Sequence, residues 1–221
     1  TASFNPIKDV IPKTKDDDSE KPDGYVTVTF VIEGEGGKIV DGETINYFVD
    51  PNREVTIQPP QTIADTGYKF NAWDKNTTVP TNYAVDTTVR GSFSKLEDII
   101  PATDDEGNEN PKPDGYVTVT FDKGEHGTKI EGQRIYYVNP KANISLGNEK
   151  IVKPTVSPET GWKANGWDKE DTQPITGDLT VTAQYAPIAD VIPEQKDDGT
   201  PNEKPEGYIT VTFDKGKYGK E

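Results

Sequence analysis

Apolar and polar residues alternate with a period of two along much of this chain. In "YVTVTF" (25–30), Val26, Val28 and Phe30 fall on one side and Thr27 and Thr29 on the other. That period is the mark of a strand with one face buried. The same alternation returns at 116–121 through Val117, Val119 and Phe121, and at 208–213 through Ile209, Val211 and Phe213. A closing strand sets Leu179, Val181 and Tyr185 against Thr180, Thr182 and Gln184. Between these lie "INYFV" (45–49) and "IYYV" (135–138), each ended by Asp-Pro or Asn-Pro, a turn signal. "KFNAWD" (69–74) and "KANGWD" (163–168) read as a third strand. The pattern predicts an antiparallel sheet with one wet face. The apolar face needs a cover, and "KANISLGNEKIVKPTV" (141–156) is the expected lid. It is predicted to carry one short helix or helical turn, limited by Gly147 and Pro154. The shorter "NREVTIQPPQTIA" (52–64) reads as even less helical.

These words are copies of one another. The three opening strands follow Gly24, Gly115 and Gly207, a period of 91 and then 92 residues. "DVIP" (9–12) recurs as "DIIP" (98–101) and "DVIP" (190–193), and "TGYKFNAWDK" (66–75) as "TGWKANGWDK" (160–169). Such a period is the signature of a tandem array. Residues 22–96 and 113–187 are each expected to form a repeat domain, joined by linkers over 9–21, 97–112 and 188–204. "TASF" (1–4) aligns with "TAQY" (182–185), so 1–8 reads as the end of a preceding repeat and 205–221 as the start of a third. The expectation is a window on a longer array.

Composition narrows the possibilities. Domains near 75 residues bury a modest share of their surface, and the chain has no cysteine to staple them. A net charge of −15 disfavours nucleic acid and anionic membrane as partners, both of which need a basic surface. No run of 18 apolar residues occurs, so no membrane contact by this sequence is expected. The acids crowd into "IPATDDEGNENPKPDG" (100–115) and "IPEQKDDGTPNEKPEG" (192–207). Their proline and like charges predict extended, semi-rigid spacers.

The run "YVTVTF", then "YYVNP", then "TGWKANGWDK", then "DLTVTAQY" resembles the internalin-type B repeats, also called Listeria–Bacteroides repeats. "TGYKFNAW" (66–73) is the best-matching word, although Ala72 stands where Gly166 keeps the usual glycine. The resemblance implies a β-grasp-like α+β fold with little helix, hence a mainly β chain. It also implies tandem display on a Gram-positive cell wall, outside the cell. The linker style looks like that of wall-anchored adhesins.

Candidate chemistry is sparse. The single histidine, His126, has no histidine in either copy and reads as a loop residue. No nucleophile elbow or phosphate-loop word occurs, so no enzyme, cofactor or catalytic residue is expected. "DDDSE" (16–20), "DDEGNEN" (104–110) and "DDGTPNE" (197–203) offer oxygens but share no acidic register, and no metal site is expected. Trp73 and Trp167 read as core, with the following Asp in a turn. Trp162 and Tyr68 also read as core. Tyr136 and Tyr137 are adjacent, so one faces outward, as does one of Tyr47 and Phe48. An internal Lys–Asn isopeptide bond requires a buried trio that the sequence does not assign.

Two functions fit these features. One is a stalk that holds a more distal binding domain away from a bacterial wall, monomeric and contacting only neighbouring repeats. The other has the repeats themselves bind a host matrix or plasma protein, by edge-strand addition or through an aromatic face.

Overall fold

A computed structural model describes residues 7–13, 20–214, 216 and 217. The tetrapeptide "TASF" and most of "DDDSE" lie outside the described residues. The structure is mainly β and holds no helix among the described residues. Its strands are β1 (Val10–Lys13), β2 (Val26–Glu33), β3 (Gly37–Ile39), β4 (Asn46–Val49), β5 (Glu54–Val55), β6 (Thr62–Ala64), β7 (Tyr68–Trp73), β8 (Thr81–Asn82) and β9 (Thr87–Lys95), followed by β10 (Ile99–Pro101), β11 (Val117–Asp122), β12 (Gly127–Glu131), β13 (Ile135–Val138), β14 (Thr155–Pro158), β15 (Trp162–Trp167) and β16 (Leu179–Pro187). Two compact units are present, Thr1–Asp98 with Pro113–Tyr116, and Ile99–Lys112 with Val117–Glu221.

In the first unit the main sheet runs β1-β4-β2-β9-β7, and in the second β10-β13-β11-β16-β15. The two orders are the same. The sheets are mixed and not purely antiparallel as the alternation suggested. The opening strand β2 pairs in parallel with the closing strand β9, and β11 pairs in parallel with β16. A parallel pair needs a long crossover. Residues 50–86 supply it in the first unit, placing β7 at the far edge on the way.

The alternation sorts the faces as expected. Val28, Phe30, Val49 and Val89 are buried together in the first unit, and Val119, Phe121, Val138 and Val181 in the second. The lid over this face is irregular chain, not a helix. Leu146 and Ile151 drop from it into the second core, joined by Ile175 from further along the chain; in the first unit Val55, in β5, and Ile57 do the same, joined by Tyr83. A helix is excluded by local chemistry. Asn143 turns left-handed (φ +54°), Gly147 and Pro154 interrupt the run, and Leu146 bonds its N–H across to the Gln173 carbonyl. Buried backbone groups are met by such lateral bonds instead of by a helical ladder.

The linker expectation changes most. Val10–Lys13, placed by sequence in linker 9–21, is the edge strand beside β4. Ile99–Pro101, placed in linker 97–112, is the edge strand beside β13. Their acid- and proline-rich tails hid a short apolar head, and Ile99 is buried in the second core. Pro12 and Pro101 are tolerated because an edge strand has one side with no ladder to complete. The rest of the spacer is not extended. Thr103 bridges Glu109, and Gln195 bridges Pro201, so each closes as a small hairpin around a left-handed glycine, Gly107 (φ +85°) or Gly199 (φ +82°).

The tryptophans that end β7 and β15, Trp73 and Trp167, sit at the core margin, partly buried. Trp73 meets Phe30 edge-on at 5.1 Å, and Trp167 meets Phe121 edge-on at 5.1 Å. Because they are not fully enclosed, Trp167→Ala is expected to cost roughly 2–3 kcal/mol, below the range of about 3–5 kcal/mol for a fully buried ring. Chemical denaturation of wild type and variant measures the difference. A polypeptide spanning 98–187 is expected to melt several degrees above one spanning 113–187, since the shorter one loses β10 and exposes its place in the core. Differential scanning calorimetry on the pair checks this.

Candidate functional site

Each unit carries the same set of side chains bonded to backbone, and these are the features the two copies share beyond their cores. The first set follows the tryptophan. Between Phe70 and Trp73 the β7–β9 register slips, and it slips again between Ala164 and Trp167 in β15–β16. Such a bulge disrupts the ladder locally. Asp74 fills the break: its carboxylate accepts the Arg90 N–H at 2.7 Å. Asp168 accepts the Thr182 N–H at 2.7 Å in the same way. Lys75 and Lys169 lie alongside at 2.8 and 2.6 Å. Burial pushes both carboxyls up. The lysine hydrogen bond, the strand N–H and the lysine charge outweigh it and hold each below the usual carboxylate range.

A second set ties the ends of the parallel pair. Asp86, just ahead of β9, accepts the Thr27 N–H at 2.7 Å, and Asp178, just ahead of β16, accepts the Thr118 N–H at 2.7 Å. Lys21 and Lys112 of the "KPDG" words stand 3.8 Å from these carboxylates.

A third set recurs three times. The tyrosine after the "KPxG" turn donates its hydroxyl back to a carbonyl just before the "DxIP" word: Tyr25 to Lys8 at 3.2 Å, Tyr116 to Glu97 at 2.9 Å and Tyr208 to Ala189 at 3.1 Å. The hairpins are closed alike, by Asn110 on the Pro101 carbonyl at 2.9 Å and Asn202 on the Pro193 carbonyl at 2.8 Å. The acids inside the hairpins are not equivalent. Asp104 accepts the N–H groups of Glu106 and Asn108, whereas Lys196 holds the matching position. The Asn108 side chain and backbone hold the Asp104 carboxyl below its ordinary range.

The aromatic surfaces differ between units. His126 stacks flat on Trp162 (3.5 Å, 10°), with Glu159 3.4 Å from its Nδ1. Gly36 holds the matching position in the first unit, and a Cβ there would lie 2.2 Å from the Tyr68 ring. Tyr68 and Trp162 are both half-exposed, as packing partners at the rim rather than core residues. Phe70 and Phe93 meet edge-on at 5.3 Å, where the second unit has Ala164 and Tyr185. Tyr136 faces the core and Tyr137 faces out. Phe48 faces away from the core of its own sheet, yet is covered, with the Lys13 ammonium 5.4 Å from its ring centre. An open cleft of about 630 Å³ beside Trp162 is lined by Ser157, Glu159, Thr160 and Lys163.

Among the described residues no group of three or more His, Cys, Asp or Glu is placed to hold a metal ion, and every buried side-chain polar atom has a partner. The residues that sequence reasoning missed are Asp86, Asp178, Tyr25, Tyr116 and Tyr208. Their recurrence at fixed offsets was the available signal.

The carboxylates with lowered pKa values set an acid limit. Asp74, Asp104, Asp168 and Asp198 are all depressed, so their contribution is complete above the unfolded value of about 4 and lost as pH falls through the folded values. The tyrosines set an alkaline limit. Burial raises Tyr116, Tyr136 and Tyr185, so their contribution is complete below the unfolded value of about 10 and lost as pH rises through the folded values. Melting temperature is expected to be flat between these limits and to fall on both sides. Asp168→Asn is expected to lower the plateau and shallow the acid fall of the second unit. Scanning calorimetry from pH 2.5 to 11 reads both.

No protein-family model matches this chain, and no curated protein matches it.

Proposed function

We propose that this chain is a stretch of tandem structural units in the stalk of a bacterial cell-surface adhesin, spacing a distal binding domain from a Gram-positive wall. The observation that carries the reading is what the copies keep. The sheet order, the bulge aspartate, the strand-end aspartate and the tyrosine–carbonyl tie are the same in both units. The ring clusters are not. A repeated ligand site would repeat its contact residues, whereas a repeated spacer needs only to repeat its frame. The acidic surface supports mutual repulsion between chains, and the resemblance to internalin-type B repeats supports an extracellular, wall-attached setting and a role in virulence. On this reading the chain is monomeric, carries no catalytic activity and meets neighbouring repeats of its own protein.

The second reading, a host matrix or plasma protein bound by the repeats, is favoured by the cleft beside Trp162 in the second unit. The two are separated by one pair of measurements. For a spacer, small-angle scattering of the 221-residue chain is expected to give a radius of gyration well above the roughly 17 Å of a compact globule of this length. Surface plasmon resonance against matrix and plasma glycoproteins is expected to give no saturable signal. Saturable binding that Trp162→Ala abolishes would replace the spacer reading with the binding one.

A further inference from the structure

The strand directions within each unit bear on how it meets tension. In the second unit β10 is antiparallel to β13, β13 is antiparallel to β11, and β11 is parallel to β16. The strand by which the chain enters the sheet and the strand by which it leaves therefore run the same way. Entry at the start of β10 and exit at the end of β16 lie at opposite ends of the sheet. The first unit repeats this with β1 and β9. A pull through the chain is directed along the strands, so the bonds across a pair share the load. In a peeling geometry the same bonds would break one after another.

The pairs on this path are unequal. The edge pair β10–β13 spans three residue pairs, one of them at Pro101, which has no N–H to give. The central pair β11–β16 lies in the middle of the sheet. It joins Val119–Asp122 to Leu179–Thr182, with Val119, Phe121 and Val181 fully buried beneath it and the Asp178–Thr118 bond at its end. Behind the edge strand, residues 99–116 are folded back on themselves. That length is held by the Asn110–Pro101 and Tyr116–Glu97 bonds, both between partly exposed groups.

We infer that each unit is a two-stage tether: a yielding edge strand, which in the second unit releases the stored hairpin of 99–116, backed by a central parallel pair that bears load in shear. Release of 99–116 lengthens the chain by about 50 Å, from 18 residues at about 3.4 Å each less the roughly 10 Å across two strand spacings. The inference deepens the spacer reading, since a wall stalk is a part that carries tension. It stands apart from that reading in its test, because a ligand-binding repeat with this sheet would yield the same way.

Single-molecule force spectroscopy on the 221-residue chain, held by its two ends, tests it. The expected record has a short step of about 50 Å at low force, from the second unit, followed by two long steps at higher force, one for each unit. Asn110→Ala with Tyr116→Phe is expected to lower the force of a short step and leave the long steps unchanged. The chain has no cysteine, so Asp122→Cys with Gln184→Cys places handles at one end of the β11–β16 pair and unzips it. That geometry is expected to lower the long-step force severalfold in a variant whose melting temperature matches the parent. Equal long-step force in both geometries overturns the clamp. End-to-end records with no short step ahead of the long ones overturn the yielding edge, whether or not either variant folds.

Discussion

The parallel pairing of the first and last main strands fixes everything else in these units. Because β2 and β9 lie side by side in the same direction, the chain between them must cross from one end of the sheet to the other. That crossover becomes the lid and delivers β7 to the far edge, while β4 lies on the other side of β2, with β1 beyond it at the near edge. The exit is then carried to the end of the sheet opposite the entry, which suits a part inserted into a longer chain. The same pairing explains why Asp86 and Asp178 recur. A parallel pair begins with an unpaired N–H, and a carboxylate one residue ahead of the closing strand is within reach of it.

The two units reach one frame with different side chains, and the differences offset one another. At Gly91 a Cβ would lie 2.9 Å from both the Phe70 and Trp73 rings, so a bulky Phe70 requires glycine. The second unit has Ala164 in place of Phe70, and Ala183 then fits where Gly91 stood. At the other end of the strand, Tyr68 lies over Gly36, while Trp162 makes room for a stacked His126. Gly37 and Gly127 do not vary, since a Cβ at either would lie about 2.5 Å from the ring of Phe93 or the hydroxyl of Tyr185. A change at one position in a cluster is met by a change at the neighbour it touches, as close packing requires.

The segment 208–213 carries the period-two alternation but forms no strand, and Ile209, Val211 and Phe213 are exposed. Elsewhere that alternation and the repeat spacing determined, from sequence alone, the main-sheet strands β2, β4, β7, β9, β11, β13, β15 and β16, the inward faces of β2 and β11, and the number of units. These are local properties: the side of a strand on which Val28 lies depends on its distance from Phe30 and on nothing further away. The same arithmetic required one of Tyr136 and Tyr137 to face outward, and the structure decided that it is Tyr137. Tertiary structure decided what depends on partners distant in the chain. The choice of parallel neighbours joins residues about 60 apart, and Thr27 meets Asp86 across 59 positions. The edge strands Val10–Lys13 and Ile99–Pro101 carry too few apolar residues to outweigh their acidic, proline-rich sequels in any window. They form because β4 and β13 each present an open ladder to them. The lid is apolar enough to read as a helix, but its N–H groups find carbonyls across the chain before they find them one turn back.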